Sequence, residues 1–157
     1  MLYFIEMTIT VHGEDEMKAL GKRIGSQLKA GDCIELVGDV GAGKTTFTKG
    51  IAVGMGISET VQSPTFTINR TYEGSAGLRL SHYDFYRLSD PGIMADELAE
   101  SIDDKETVII IEWGEVVASI VPKDHLRIEI ASPSEESRIL TLVPSGERSQ
   151  ALAGGVA

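Results

Sequence analysis

The chain has 157 residues, a length that suits one domain with a buried core. Its 24 acidic and 14 basic residues give a formal net charge of −10, which argues against a protein that grips nucleic acid unaided. The single cysteine excludes an internal disulfide. The opening MLYFIEM is too short for a signal peptide and lacks its basic start, and no apolar run approaches membrane-spanning length. We therefore expect a cytoplasmic protein with no membrane partner.

A strand and a helix open the predicted fold. Residues 7–11 (MTITV) have the β-branched content typical of a strand. Apolar residues then recur at helical spacing, with glycines between them that permit close packing: Met17, Leu20, Gly21, Ile24, Gly25 and Leu28. Residues 33–37 (CIELV) predict a buried strand, in which Cys33 is a small apolar residue.

The stretch GDVGAGKT, here called the glycine-rich loop (residues 38–45), matches the P-loop pattern. Its glycines allow a tight turn that points backbone N–H groups at an anion. Lys44 supplies positive charge to the β- and γ-phosphates, and the Thr45 hydroxyl is a ligand for Mg²⁺. A helix over residues 45–55 adds the positive end of its dipole. The predicted nucleotide contacts are Asp39, Val40, Gly41, Ala42, Gly43, Lys44, Thr45 and Thr46.

Further strands are predicted beyond this helix. Residues 67–72 and 78–83 favour a strand pair, and Pro91 suits the start of a short helix that runs to about residue 101. Residues 107–111 (TVIII) predict a central strand buried on both faces. A short helix over residues 115–121 and a closing hairpin of residues 125–130 and 138–142 follow.

Together these elements predict an α/β fold. We expect a P-loop NTPase-like three-layer sandwich with a mixed, mostly parallel central sheet, because strands alternate with helices at first and adjacent strand pairs follow. Residues 1–144 are predicted to form a single P-loop ATPase domain. Residues 145–157, which end in ALAGGVA, are predicted to be a disordered tail.

Two acidic residues are candidates for hydrolysis, which needs a carboxylate near the metal and a group that orients water. Glu112 ends the most apolar strand, and in a parallel sheet that edge faces the same crevice as the glycine-rich loop. Asp84, in HYDFYR, ends another predicted strand, where an aspartate is equally typical of a turn or cap. The sequence does not decide which carboxylate orients water. His82 is expected beside Asp84 without a catalytic role, and Trp113 is either a packing anchor or a contact surface.

The alternatives to an ATPase are a GTPase, a small-molecule kinase and an assembly switch that barely hydrolyses nucleotide. A GTPase would need an Asn-Lys-x-Asp motif, which the sequence lacks, and a small-molecule kinase would bring arginines on a lid, whereas the arginines here are scattered. Residues 63–66 (SPTF) lie where P-loop switches sense the γ-phosphate, although their spacing also suits a plain turn. An assembly switch that barely hydrolyses would use the same residues, so that alternative stays open until turnover is measured.

Four stretches in order, GDVGAGKTTFTKG, SPTFTI, HYDFYRL and IIIEWGE, resemble the TsaE (YjeE) family of bacterial ATPases. The resemblance runs from the first helix to Arg138. It implies that Lys44 binds phosphates, that Thr45 and Glu112 accompany Mg²⁺, and that Asp84 is essential for hydrolysis. Ser63 and Thr65 would belong to a switch segment, and Arg138 would approach the nucleotide. Many family members continue IEW with proline, whereas Gly114 and Glu115 follow here.

The resemblance also implies a function. The family binds ATP and Mg²⁺ and serves the machinery that makes N6-threonylcarbamoyladenosine in tRNA. It joins the TsaB and TsaD proteins, and ATP hydrolysis resets that complex between turnovers. The resemblance accordingly implies an ATPase that is weak alone, is stimulated by these partners, and meets tRNA only indirectly through them, in agreement with its acidic composition.

Overall fold

The computed structural model of the protein describes residues 4–156. The described strands form one mixed β-sheet. Its strands are β1 (Met7–His12), β2 (Cys33–Val37), β3 (Asn69–Glu73), β4 (Arg79–Asp84), β5 (Thr107–Glu112), β6 (Leu126–Ala131) and β7 (Ser137–Pro144). The helices are α1 (Gly13–Gly25), α2 (Lys44–Gly54), α3 (Ile93–Asp103) and α4 (Glu147–Gly154), with 3₁₀ turns at Ser75–Gly77 and Gly114–Val117. No helix in this part of the chain is long and apolar enough to cross a membrane.

The described strands lie in the order β1-β7-β6-β2-β5-β4-β3. Strand β2 is parallel to β5 and β6, and β4 is parallel to β5, whereas β3–β4, β6–β7 and β1–β7 are antiparallel. The predicted mixed sheet is confirmed. It is not mostly parallel, because the described pairings divide equally between the two senses. The β3–β4 and β6–β7 pairs are hairpins, whose short connections can join only antiparallel strands, and β1 adds a third antiparallel pair at the edge beside β7.

Helices cover both faces of the sheet, which confirms the predicted layers. All residues of strand β5 are buried, and its side chains alternate between the two faces of the sheet. Val108 and Ile110 belong to the core cluster that includes residues of α1, α2 and α4. Ile109 and Ile111 belong to the cluster on the opposite face, with Leu98 of α3. The alternation explains why this strand is the most apolar run in the sequence.

Helix α1 holds α2 in place through close backbone contact. Gly21 and Gly25 face α2, where a Cβ atom would collide with the backbone carbonyls of Phe47 and Ile51. The packing that these glycines predicted is therefore confirmed. Because α2 begins directly after the glycine-rich loop, this contact also positions the loop above the sheet edge.

The disordered tail expected from residue 145 is wrong for residues 145–156; Ala157 lies outside the described residues. Helix α4 buries Leu152 and Ala153 in the core that it shares with α1 and α2. Its first turn is tied down by Arg148, whose guanidinium lies 2.8 Å from the Asp32 carboxylate. A short run rich in alanine and glycine has little periodicity, so contacts with distant residues, rather than local propensity, hold this helix.

Leu152→Ala is expected to lower the free energy of unfolding by about 2–5 kcal/mol, because it leaves a cavity where the side chain is 2% exposed. Urea denaturation measures the effect. Val53→Ala, which shortens an apolar side chain that is 58% exposed, is the matched control and should change stability by less than about 0.5 kcal/mol. Equal effects of the two variants would show that α4 is not docked.

Asp124 caps α4 by accepting hydrogen bonds from the backbone N–H groups of Arg148 and Ser149, at 2.9 and 3.0 Å. Burial raises the pKa of this carboxyl, but hydrogen bonds from Ser149 and Arg148 outweigh burial and hold the pKa below its usual 3.8. The ionised cap therefore stabilises the fold above that pH, and its contribution is lost as pH falls through the folded-state pKa.

The stability difference between the native protein and Asp124→Asn should consequently be largest above about pH 4 and shrink in more acidic solution. Chemical denaturation over a pH series checks this, with Asp103→Asn on an exposed position of α3 as control. A difference that stays constant with pH would refute a charged cap.

Candidate functional site

The glycine-rich loop leaves the end of β2 and leads into α2. Gly41 and Gly43 have φ angles of +85° and +104°, in the left-handed region that glycine adopts without strain. A Cβ atom on Gly38 would lie 2.9 Å from the Ile130 carbonyl oxygen, so glycine is needed there for close packing against β6. Gly43 is the N-cap of α2, and no described side chain caps that end. The first N–H groups of α2 therefore remain available to an anion.

A cavity of about 340 Å³ opens beside this loop. It brings together most of the predicted site residues with two aromatic side chains. Its lining consists of Val40, Gly41, Gly43, Lys44, Thr45, Thr46, Ser63, Thr65, Asp84, Tyr86, Glu112 and Trp113. The loop, the segment of residues 63–66 and the ends of β4 and β5 thus meet around one space.

Asp84 and Glu112 lie side by side because their strands are parallel and in register, with Asp84 opposite Glu112. Each residue is only 3% exposed. The Asp84 carboxylate is oriented by two donors, the Thr65 hydroxyl at 2.8 Å and the Tyr86 backbone N–H at 2.9 Å. Thr65 is in turn 2.8 Å from the Ser63 hydroxyl. The segment of residues 63–66 is therefore coupled directly to a buried carboxylate.

Glu112 lies between two nitrogen-bearing side chains. Its Oε2 is 2.6 Å from Nε2 of His82, and its Oε1 is 4.0 Å from Nζ of Lys44. His82 was expected beside Asp84, but its hydrogen-bond partner is on the neighbouring strand. Residues two apart on one strand are separated by about 6.6 Å, whereas adjacent strands are only about 4.8 Å apart.

Lys44 is buried beneath the glycine-rich loop. Its Nζ donates to the carbonyl oxygens of Gly38 and Asp39, at 2.5 and 3.4 Å, and lies 4.7 Å from the centroid of the Trp113 ring. The ring of Tyr86 packs at 4.8 Å against Trp113. Sequence reasoning left Trp113 undecided and missed Tyr86. The alternation of HYDFYR beyond Asp84 is the signal that could have indicated Tyr86.

Three predicted contacts do not line this cavity. Asp39 lines a second cavity of about 460 Å³ on the far side of Lys44 and Trp113. Ala42, within the loop, has a buried side chain, and its carbonyl oxygen accepts a hydrogen bond from Nε of Arg138 at 3.0 Å. Arg138 also donates to the carbonyls of Ser134 and Ser137 in the β6–β7 turn. In this structure the guanidinium of Arg138 contacts the backbone of the glycine-rich loop and does not line the 340 Å³ cavity.

The thiol of Cys33, the single cysteine, is not a reactive nucleophile in this fold. Cys33 is buried in β2 within the opposite core cluster, as expected for a small apolar residue. Burial raises the pKa of its thiol to about 12, with smaller contributions from Glu35 and Asp32. The thiol therefore stays protonated at neutral pH, and thiolate chemistry is excluded. Chemistry in the cavity depends on carboxylates, hydroxyls, Lys44 and backbone N–H groups.

Comparison with known proteins identifies the family of the chain. A family model described as TsaE, threonylcarbamoyl adenosine biosynthesis protein, matches residues 11–140. A relative from Bacillus subtilis, described as tRNA threonylcarbamoyladenosine biosynthesis protein TsaE, is 38% identical over 88% of this chain and 85% of its own length. A relative of the same description from Streptomyces coelicolor is 38% identical over 84% of this chain and 93% of its own.

The fold has a solved counterpart as well. The crystal structure of YdiB from Bacillus subtilis superposes with a TM-score of 0.82 and 32% sequence identity, over 99% of this chain and 97% of that one. The range that the family model matches, residues 11–140, spans strands β2 to β6 and the glycine-rich loop. The chain belongs to the TsaE family.

Proposed function

We propose that the chain binds ATP with Mg²⁺ in the 340 Å³ cavity and hydrolyses it, as a cytoplasmic component of N6-threonylcarbamoyladenosine biosynthesis in tRNA. The observation that carries the proposal is that two buried carboxylates and an uncapped helix N-terminus line one cavity. The pathway is supported by the family and by the printed descriptions of its relatives.

The residues present fit a nucleotide phosphate group. The left-handed conformations of Gly41 and Gly43 curl the loop around the start of α2, where backbone N–H groups and the helix dipole favour negative charge. Lys44 already lies below the loop and would exchange carbonyl oxygens for phosphate oxygens. Thr45 and Thr46 add hydroxyl groups at the first turn of α2.

The donors also fit Mg²⁺, which prefers oxygen ligands and usually keeps several waters and phosphate oxygens. Thr45 and Glu112 are the residues that would hold it, directly or through water. No cluster of three or more His, Cys, Asp or Glu residues suited to a metal occurs within residues 4–156. When bound, Mg²⁺ would neutralise charge on the phosphate oxygens.

The two carboxylates would take different roles. Glu112 directs Oε1 towards Lys44, so this oxygen suits a contact with the metal or its water shell. Asp84, beside Glu112 on the neighbouring strand, is oriented by Thr65 and Tyr86 and would accept a hydrogen bond from the attacking water. Neither residue would form a covalent bond to phosphate.

The segment of residues 63–66 links the cavity to the surface, which favours a role in assembly as well. Thr65 binds Asp84, while the next residue, Phe66, is 83% exposed and lies 4.5 Å from the Arg87 guanidinium. A nucleotide bound in the cavity would therefore change the position of the exposed Phe66 ring through Thr65. We infer that nucleotide state controls association with TsaB and TsaD, whose surfaces would supply the tRNA contacts that a chain of charge −10 does not.

ATP turnover, measured alone and with purified TsaB and TsaD, tests the function. Lys44→Ala, Glu112→Gln and Asp84→Asn should each lower turnover by about 100-fold or more, because each removes a group that acts on the reacting phosphate or water. The matched control is Glu115→Gln, which neutralises an exposed carboxylate three residues after Glu112.

Turnover is expected to be low for the chain alone and to rise with the partners. If Glu112→Gln and Asp84→Asn retain the turnover of Glu115→Gln, the assignment of the two carboxylates fails. If TsaB and TsaD neither bind the chain nor alter its turnover, the proposed partnership fails while the nucleotide site stands.

Thr65→Val should loosen the segment of residues 63–66, because it removes a hydrogen bond to a charged carboxylate worth about 1.5–3 kcal/mol. Amide hydrogen exchange of this segment should accelerate by about tenfold or more, whereas exchange in β4 should not change. Thr67→Val, at an exposed position two residues later, is the control. Equal exchange in both variants would refute the coupling between this segment and Asp84.

A further inference from the structure

His82 is a polar residue in an apolar row of the sheet. On the face of β4 that packs towards α2 it lies between Leu80, in the core, and Asp84, in the cavity. Its Cα partner on β5 is Ile110, and its side chain is 0% exposed. Nδ1 of the ring is buried and has no hydrogen-bond partner among residues 4–156.

The requirements of the core alone would favour an apolar residue at this position. Leu80 and Ile110 fill the same layer with aliphatic groups, whereas His82 leaves a ring nitrogen unsatisfied, which is destabilising. The ring makes one strong contact, from Nε2 to Oε2 of Glu112 at 2.6 Å. An ionised carboxylate can only accept, so this contact with ionised Glu112 requires the imidazole tautomer with its proton on Nε2.

This contact decides which Glu112 oxygen is available. Oε2 is directed into the sheet by His82, and Oε1 is left towards Lys44 and the cavity. Without the imidazole N–H, the buried carboxylate could rotate about its last torsion or turn away, because that torsion is soft. The geometry points to His82 as a positioning residue that holds Glu112 for its contact with Mg²⁺ or its water shell. The inference rests on the function proposed above.

Two amide variants separate the hydrogen bond from the volume of the ring. In His82→Gln the amide nitrogen extends to about the position of Nε2, whereas in His82→Asn it extends only to about that of Nδ1. Turnover of His82→Gln should stay within about threefold of native, whereas His82→Asn should lower kcat by about 10- to 100-fold, the usual effect of removing a partner of a metal-binding group. The KM for ATP should change by less than about threefold, because the glycine-rich loop is untouched.

A binding measurement gives a readout that does not depend on turnover. The affinity for a non-hydrolysable ATP analogue is measured by calorimetry over a range of Mg²⁺ concentrations. His82→Asn should raise the Mg²⁺ concentration needed for half-maximal binding by about tenfold or more, while affinity without Mg²⁺ stays native. In a Glu112→Gln background, His82→Asn should have no further effect on either quantity, because the ring acts only through that carboxylate.

Loss of stability is controlled with Leu80→Val, which weakens the same layer without touching Glu112. Native-like kcat and Mg²⁺ dependence in His82→Asn, or equal losses in His82→Gln and His82→Asn, would overturn the positioning role. A separate additional loss in the Glu112→Gln background would overturn it as well. If the native protein itself shows no more turnover than Lys44→Ala, the proposed function fails first, and the two failures are thereby distinguished.

Discussion

The parallel alignment of β2, β5 and β4 is the constraint on which the rest of the structure depends. Leu36 of β2 lies opposite Glu112, and Glu112 lies opposite Asp84, so three strands end at one edge. The chain leaving β2 forms the glycine-rich loop at that edge, and the other two strands deliver the carboxylates. A shift of one residue in either pairing would turn a carboxylate to the opposite face. Such a shift of β5 would place the Glu112 carboxylate among the apolar side chains of the opposite face, where an unpaired charge is costly.

Burial of charge at this edge has to be compensated locally. Lys44, Asp84 and Glu112 are each less than 10% exposed, and an unpaired charge there would be costly. The loop carbonyls accept from Lys44, Thr65 and Tyr86 donate to Asp84, and His82 donates to Glu112. Each group is therefore oriented by neighbours from a different element. The close contact between α1 and α2 also holds the start of α2 in place, so a packing interface beside the cavity helps to maintain its geometry.

Much of the architecture could be predicted from local signals. The glycine pattern of the loop, the apolar run of β5 and the glycines of α1 each reflect a physical need at their own position. Helix α4 carried no such signal, since Leu152 and the Asp32–Arg148 pair act only in tertiary context. The contact of His82 with Glu112 requires the order of the strands, which spacing does not give. Arg138 was assigned through resemblance, and the structure places its guanidinium on Ala42. Whether it approaches nucleotide stays a prediction.

Trp113 lines both cavities together with Lys44, and this position makes its fluorescence informative. Trp113 is the single tryptophan of the chain, it stands on a residue with a left-handed φ of +55°, and the Lys44 ammonium lies 4.7 Å from its ring. Indole emission responds to nearby charge and to solvent exposure. Because no other indole contributes a background, tryptophan fluorescence of the unlabelled protein reports on the surroundings of this one ring, which include Lys44 and Tyr86. The protein thus carries a built-in probe, at the wall where the glycine-rich loop, Tyr86 and both cavities meet.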